Sequence, residues 1–267
     1  MAHVEAENRG LVQAEDAGGV RRILMRRPEK RNALNEDLIR RLDAAFRDAA
    51  ADPTVRVVVV AGEGEMFSAG MDFASLQDLA SNPDSLRSFR TPLLEAWNLL
   101  EDMEKPTICE IHGACIGGAM ELALAADLRV MAEDAMAGLV ETKVGLLPDV
   151  GGSSRLPAVV GLGVAKELVM TGRLIDGREA HRIGFANRVA PAAELGATTK
   201  ALCDELLACA PLAVGLAKGV MNAAARPSLA ESLEREVAAQ ERLASSADFA
   251  EGARALGEKR QPAFTGR

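Results

Sequence analysis

Three acidic residues lie beside glycine-rich turns in sequence that is otherwise apolar. Glu121 falls on a helical stripe whose other members are small or apolar, namely Gly117, Gly118, Leu124 and Ala125. Glu141 stands in a second apolar run, and Asp149 follows it just before two glycines. A buried carboxylate is costly to desolvate. One such acid alone would be an ordinary solvated or capping residue, but the three together indicate a site for acid–base chemistry.

Other catalytic signatures are missing from the sequence. It contains no G-x-S-x-G elbow, no Walker A loop and no H-E-x-x-H motif. His112 ends an apolar run without a Ser or Cys partner placed by the sequence, so we interpret it as a strand-end residue. Gly-Leu-Gly at 161–163 follows no predicted strand and is a weak match to a dinucleotide fingerprint. The three acids therefore remain the leading candidates.

The composition limits the classes of partner. The 267-residue chain is 48% hydrophobic and 26% charged, with a formal net charge of −8. This acidic balance argues against nucleic acid or an anionic membrane as the main partner. No run approaches the ~18 apolar residues of a membrane span, and residues 1–10 lack an apolar signal core. We therefore expect a cytoplasmic protein.

The cysteines and histidines predict no metal site. Cys109, Cys115, Cys203 and Cys209 form no Cys-x-x-Cys pair, and the three histidines are scattered along the chain. We interpret the cysteines as buried free thiols in a reducing compartment, with no zinc site.

Strands and helices alternate over the first two thirds of the chain. Two short strands at 11–15 and 20–25 flank Gly18-Gly19 and predict a hairpin, and four consecutive valines in 56–61 predict a strand buried in a mostly parallel sheet. The apolar run 107–111 predicts the strand that leads into the helix of Glu121. Two predicted helices have a capping residue before them: Asn35 caps the helix that ends at 51, and Asp72 caps the helix at 73–80. Further helices are predicted at 92–103, from Ser153 to 159, at 163–171 and at 176–182. A loop is predicted at 82–84, and Val189 marks the last predicted strand.

The character of the sequence changes near position 195. From Pro191 onward the pattern is almost wholly helical, with predicted helices at 192–208, 212–224, 229–245 and 249–256. This change is the only candidate domain boundary. We therefore predict a mixed α/β unit at 1–195 and a helical region at 196–267.

Motifs along nearly the whole chain resemble those of the crotonase (enoyl-CoA hydratase/isomerase) superfamily. They are Arg27-Pro28, Asn32-Ala33-Leu34, positions 67–72, the dense stretch 112–152, Leu168, Thr171-Gly172, Ala180, Gly184, Val189 and positions 264–267. The resemblance implies an α/β fold: a spiral of β-β-α turns with two near-perpendicular sheets, followed by a helical C-terminal trimerisation region. It also implies a homotrimer, or a hexamer built as a dimer of trimers.

The resemblance further implies a substrate class and a site. Members of the superfamily act on acyl-CoA thioesters, so coenzyme A would be part of the substrate and no separate cofactor or metal is expected. Backbone N–H groups of Met71 and Gly118 would form an oxyanion hole. Glu121 would be the base toward water and Glu141 would deliver a proton to C2 of the substrate. The implied substrate-binding residues are Ala69, Gly70, Met71, Asp72, Phe73, Gly117, Gly118 and Pro148.

Asp149 departs from the pattern of many hydratases, which have glycine there. Dienoyl-CoA isomerases and hydroxyisobutyryl-CoA hydrolases also place an Asp eight positions after the second acid. Such isomerases, however, usually have Asp at the position of Glu121, and the hydrolases are longer and lack an acid there. Because two glutamates suit hydration, we predict an enoyl-CoA hydratase of the fatty acid β-oxidation type. The alternatives are an enoyl- or dienoyl-CoA isomerase that uses Glu141 and Asp149, and a catalytically idle acyl-CoA-binding scaffold.

Overall fold

The computed structural model describes residues 10–75, 78, 86–144 and 146–225, together with 247, 251, 255, 258, 260, 263 and 265–267. The predicted loop 82–84, the predicted helix 229–245 and Phe264 of the tail motif lie outside the described residues. The predicted helices 73–80 and 249–256 are described in part. Residues 73–75 and 78 of the first and residues 251 and 255 of the second are helical.

A six-stranded sheet forms the main layer, in the order β1-β2-β3-β4-β6-β9. Its first two strands form the predicted hairpin, with Gly18 and Gly19 at positive φ in the turn. The remaining neighbours pair in parallel. All six residues of β3 are buried, as the run of valines predicts. The strands are β1 Val12–Ala17, β2 Val20–Met25, β3 Val57–Gly62, β4 Thr107–Ile111, β6 Leu128–Ala132 and β9 Arg188–Ala190.

A smaller three-stranded sheet has the order β5-β7-β8. These strands, Ala114–Ile116, Met136–Gly138 and Ile175–Asp176, contain three, three and two residues. The chain passes from β4 to β5 and from β6 to β7, so each of these turns contributes one strand to each sheet before the next helix. Ser68 adds a bridge to Cys115 of β5. The arrangement agrees with the expected β-β-α spiral.

Eight helices surround the sheets in the described part of the chain. They are α1 Glu36–Ala51, α2 Leu86–Asp102, α3 Gly118–Ala125, α4 Gly152–Val160, α5 Leu162–Thr171, α6 Gly177–Arg182, α7 Leu195–Leu207 and α8 Pro211–Ala224. The Asn35 side chain caps α1 by accepting from the N–H of Leu38 at 3.0 Å, as predicted. Helix α7 packs against β3, β4, β6 and β9. The boundary near position 195 stays a prediction.

Three local predictions are wrong. Helix α2 is described from Leu86, six residues before the predicted start at Pro92, and it continues through this proline although one helical hydrogen bond is lost there. Ser153 does not cap α4: Gly151 is the N-cap, and Ser153 Oγ instead donates to the carbonyl of Pro148 at 2.7 Å. Cys209 is exposed, whereas the other three cysteines are buried free thiols as predicted.

Within the described segments, no single helix is long and apolar enough to cross a membrane. One pair of helical segments, Ala192–Leu207 and Pro211–Ala224, satisfies that length and composition together, with a bend of 103° between them.

Candidate active site

Glu121 is buried in α3 and held by two backbone donors. Every residue of this helix is buried, and Glu121 retains 3% of its exposure. Its Oε1 accepts hydrogen bonds from the N–H groups of Val150 and Gly152, each at 2.9 Å. Gly152 is the first residue of α4, so the carboxylate also lies at the positive end of that helix dipole. Backbone groups therefore fix the position of the predicted acid.

Burial dominates the titration of Glu121. It raises the pKa to about 7 from the ordinary value of 4.5. The hydrogen bonds from Gly152 and Val150 oppose this change, while the negative charges of Glu141 and Asp149 add to it. The group therefore changes its charge near neutral pH, as a catalytic acid or base must.

Glu141 begins a short 3-10 helix, Glu141–Val144, and faces the turn before α3. A Cβ placed on Gly117 would lie 2.9 Å from Glu141 Oε1, so a larger residue there would displace this carboxyl group, and the φ of +55° also favours glycine. Its Oε2 is buried without a hydrogen-bond partner among the described residues. Burial, and next the charge of Asp149, raise the pKa of Glu141 above the ordinary value of 4.5. The raised pKa widens the pH range over which this carboxyl group holds its proton.

Two backbone N–H groups meet beside these acids. Leu34 forms a parallel β-bridge with Met71. The N–H of Leu34 donates to the carbonyl of Gly70 at 2.8 Å, and the carbonyl of Leu34 accepts from the N–H of Asp72 at 3.0 Å. The N–H of Met71 therefore points away from Leu34. Gly118 is the first residue of α3, where a helix leaves its N–H without an internal acceptor. Neither N–H donates a hydrogen bond to another described residue.

The segments that carry these two donors pack closely against each other. Gly70 has φ +89°, and a Cβ there would lie 2.3 Å from the carbonyl oxygen of Ile116 and 3.7 Å from the nitrogen of Gly118. A Cβ on Gly118 would lie 3.3 Å from Met71 Sδ. Glycine is required at position 70 both for its conformation and for this close approach.

Polar side chains fasten the turn that contains Met71. Arg27 forms an ion pair with Asp72 at 2.5 Å, and the hydrogen bond from Arg27 lowers the pKa of Asp72. The same carboxylate accepts from the N–H of Ala74 at 3.0 Å, which is the predicted capping contact. Asn32 is completely buried and donates to the carbonyls of Glu63 and Met66. Asn32 contributes to the framework of the site, a role that reasoning from the sequence missed.

Asp149 lies close to the two glutamates but is engaged elsewhere. Its Oδ2 is 3.0 Å from Nε of Arg90, and Arg90 Nη2 also donates to its backbone carbonyl. It does not cap α4, whose N-cap is Gly151. The structure thus places Asp149 in an ion pair with α2, a partner that the sequence did not indicate.

The remaining predicted binding residues border this region. Pro148 and Gly117 are buried, Ala69 is half-buried, and Phe73 is 72% exposed. A separate cavity of about 850 Å³ lies between α2, α4 and α8. Among the described residues its wall includes Arg90, Asp149 and Gly151 but neither of the two glutamates. It therefore borders Asp149 and the turn before α4.

Comparisons with known proteins give relatives over nearly the whole chain. The family model described as enoyl-CoA hydratase/isomerase matches residues 15–267. A putative enoyl-CoA hydratase of Thermus thermophilus is 35% identical over 95% of this chain and 100% of its own length. A crotonyl-CoA hydratase of Syntrophomonas wolfei is 34% identical over 91% of this chain and 93% of its own.

Solved structures give the same answer for the fold. The crystal structure of an enoyl-CoA hydratase from Bacillus anthracis superposes with a TM-score of 0.91 at 32% identity, covering 96% of this chain and 100% of that one. An enoyl-CoA hydratase from Polaromonas superposes with a TM-score of 0.90 at 30% identity, covering 95% and 99%. These matches confirm the predicted crotonase-like fold, and the chain belongs to the enoyl-CoA hydratase/isomerase family.

Proposed function

We propose that this protein is an enoyl-CoA hydratase, which adds water to the double bond of a 2-enoyl-CoA thioester. The observation that carries the proposal is the pair of glutamates, buried Glu121 and half-buried Glu141 with its buried Oε2, beside two backbone N–H groups with no acceptor among the described residues. The names of the relatives support the same reaction. A coenzyme A thioester is the substrate, and the chemistry calls on no separate cofactor.

The N–H groups of Met71 and Gly118 would receive the thioester oxygen. As water attacks C3, electrons of the double bond move toward the thioester and negative charge develops on that oxygen. Two fixed N–H donors stabilise this charge without reorganisation. Because Gly118 begins α3, the helix dipole adds to their effect. Backbone donors also keep their position whatever side chains surround them.

The two carboxyl groups would divide the proton transfers. Glu121 has a pKa of about 7 and its Oε1 is held in place by two N–H hydrogen bonds, so we assign it as the base that takes a proton from water. Glu141 has an unpartnered buried oxygen in the described part of the chain and is assigned as the acid that protonates C2. The new C3–O and C2–H bonds consume one water, and delivery from one side of the pocket corresponds to syn addition.

A dienoyl-CoA isomerase is the second candidate, because the charge of Asp149 raises the pKa of both glutamates and so lies near them. Isomerisation would need Asp149 to exchange a proton with the substrate. Its ion pair with Arg90 at 3.0 Å, and the presence of Glu121, favour hydration with Asp149 as an accessory residue.

Comparison of two substrates tests the proposal. Wild-type protein should hydrate crotonyl-CoA, measured as the loss of absorbance of the conjugated thioester, with a higher kcat/KM than it shows for isomerisation of a 3,5-dienoyl-CoA. A preference for the dienoyl substrate that disappears in Asp149→Asn would establish the isomerase instead. Tight binding of both thioesters without turnover would indicate an idle scaffold.

We also propose that the protein assembles as a homotrimer or as a dimer of trimers. The resemblance to the superfamily motivates this proposal, and the Ala- and Leu-rich helices after Pro191 are compatible with interface faces. Light scattering coupled to size-exclusion chromatography should give a mass of three or six chains, and a monomer would contradict it.

A further inference from the structure

Arg90 contacts the loop that holds Glu121 and has no role in the chemistry described above. It projects from α2, and its Nη2 donates a hydrogen bond to the carbonyl oxygen of Asp149. Its Nε lies 3.0 Å from Oδ2 of the same residue. Both the backbone and the side chain of Asp149 therefore face one guanidinium group.

The carbonyl of Asp149 and the N–H of Val150 belong to the same peptide group. The described chain contains no cis peptide bond, so these C=O and N–H bonds point in opposite directions. Arg90 lies at the carbonyl end, while Glu121 Oε1 lies 2.9 Å from the nitrogen at the other end. A single planar peptide thus connects the guanidinium group to the buried carboxylate.

We propose that Arg90 is a positioning residue for Glu121 and acts through the Asp149–Val150 peptide. A cation hydrogen-bonded to a carbonyl oxygen draws electron density through the peptide and strengthens its N–H as a donor. It also fixes the plane of the peptide, so the N–H stays aimed at Oε1. The inference rests on the proposed function only in taking Glu121 as the base.

The charge of Asp149 offers a second explanation for any effect of Arg90 on the pKa of Glu121, and the experiment must distinguish the two. Among the described residues, Glu141 from the 3-10 helix and Asp149 from the turn before α4 raise the pKa of Glu121, and Arg155 of α4 donates to the carbonyl of Val150 in the same turn. Removing Arg90 would weaken the Val150 donor, but it would also leave the charge of Asp149 without its partner. Both effects would raise the pKa of Glu121, so the single variant alone does not distinguish them.

Three variants separate the two explanations. Arg90→Met removes the guanidinium group, Asp149→Asn removes the carboxylate but keeps the backbone carbonyl, and the double variant removes one positive and one negative charge together. The acidic limb of kcat/KM for crotonyl-CoA reports the ionisation of the base in the free enzyme. We expect Arg90→Met to move this limb upward by about half a pH unit or more, because a weakened hydrogen bond disfavours the ionised carboxylate.

The double variant gives the decisive result. If the peptide transmits the effect, Arg90→Met still moves the limb upward when it is added to Asp149→Asn, a variant that alone should move the limb downward because a negative charge near Glu121 is lost. A limb that lies at the same pH in the double variant as in Asp149→Asn would overturn the inference in favour of the Asp149 charge. A lower melting temperature in Arg90→Met with an unmoved limb would also overturn it, since Arg90 would then serve stability alone.

An infrared titration provides a readout without substrate. The stretching band of a protonated carboxyl group, assigned to Glu121 by its loss in Glu121→Gln, gives the pKa of this group in each variant. If the wild-type protein failed to hydrate crotonyl-CoA, the proposed function would fail, yet the infrared comparison would still test the link between Arg90 and Glu121. An unchanged Glu121 titration in Arg90→Met would overturn the inference independently.

Discussion

Replacing Glu121 with glutamine should make the folded protein more stable at pH 8 while it removes the catalytic base. The pKa of Glu121 is raised to about 7 from 4.5, chiefly by burial, and each pKa unit corresponds to about 1.4 kcal/mol. Keeping the ionised side chain in the folded state therefore costs about 3 kcal/mol at high pH. The substituted glutamine carries no charge, and its side-chain oxygen can still accept from the N–H groups of Val150 and Gly152.

The sign of the pH dependence follows from the raised pKa. Below about pH 4.5 both the folded and the unfolded chain hold the proton on Glu121, and its contribution to stability is fully present. As the pH rises toward 7 the unfolded chain releases the proton first, so this contribution declines and is lost above about pH 7. The stability advantage of Glu121→Gln should thus grow from less than about 1 kcal/mol at pH 5 to about 3 kcal/mol at pH 8.

Urea denaturation at the two pH values measures this difference, with protein concentration held constant because assembly alters apparent stability. Glu110→Gln is a matched control. Glu110 is also buried, and burial raises its pKa, but the hydrogen bonds and charge of Arg22 outweigh burial and lower it overall. Its loss should destabilise the protein at pH 8. Equal stability of Glu121→Gln and wild type at both pH values would refute the burial argument.

The remaining predictions concern the backbone donors and the turns around the acids. Gly118→Pro should fold, since proline is tolerated at the first position of a helix. Hydration should nevertheless fall by ~10²-fold or more, because an N–H donor to the thioester oxygen is lost. Normal turnover in the folded variant would place the donor elsewhere. Gly117→Ala should lower turnover by about tenfold or more. The new Cβ would lie 2.9 Å from Glu141 Oε1, and the φ of +55° at this position is unfavourable for alanine. Unchanged kinetics would show that Glu141 does not need the space beside Gly117. Asp149→Asn should lower crotonyl-CoA hydration by less than about tenfold if the residue is accessory, and a larger loss in the same assay would contradict that role.

Local sequence signals were sufficient for helix α1 and strand β3. Asn35 predicted the start of α1 because its side chain can cap the first turn, and the four valines predicted β3 because only a strand buried on both faces is so uniformly apolar. Strand β6 and the short strands β5, β7 and β8 escaped prediction. Strands of two or three residues show no recognisable alternation, and their pairing partners are distant in sequence.

The acids of the candidate site were predicted from the sequence, but their partners were not. Glu121 attracted attention as a charge on a packed helical stripe. The donors that hold it lie 29 and 31 positions away, and Arg90 lies 59 positions from Asp149. Contacts over such separations are created by the folding of the spiral and leave no periodicity in the sequence. The same holds for Asn32, whose amide reaches carbonyls 31 and 34 positions away.

Turnover of crotonyl-CoA by Glu121→Gln and Glu141→Gln, each compared with wild type at one pH, tests the central claim most directly. Each glutamine keeps the size of the carboxyl group and removes its ability to exchange a proton. If the two glutamates carry the hydration, each variant should remain folded and bind the thioester, and each should lose ~10²-fold or more in kcat. Wild-type turnover in both folded variants would contradict the assignment of the two glutamates to hydration.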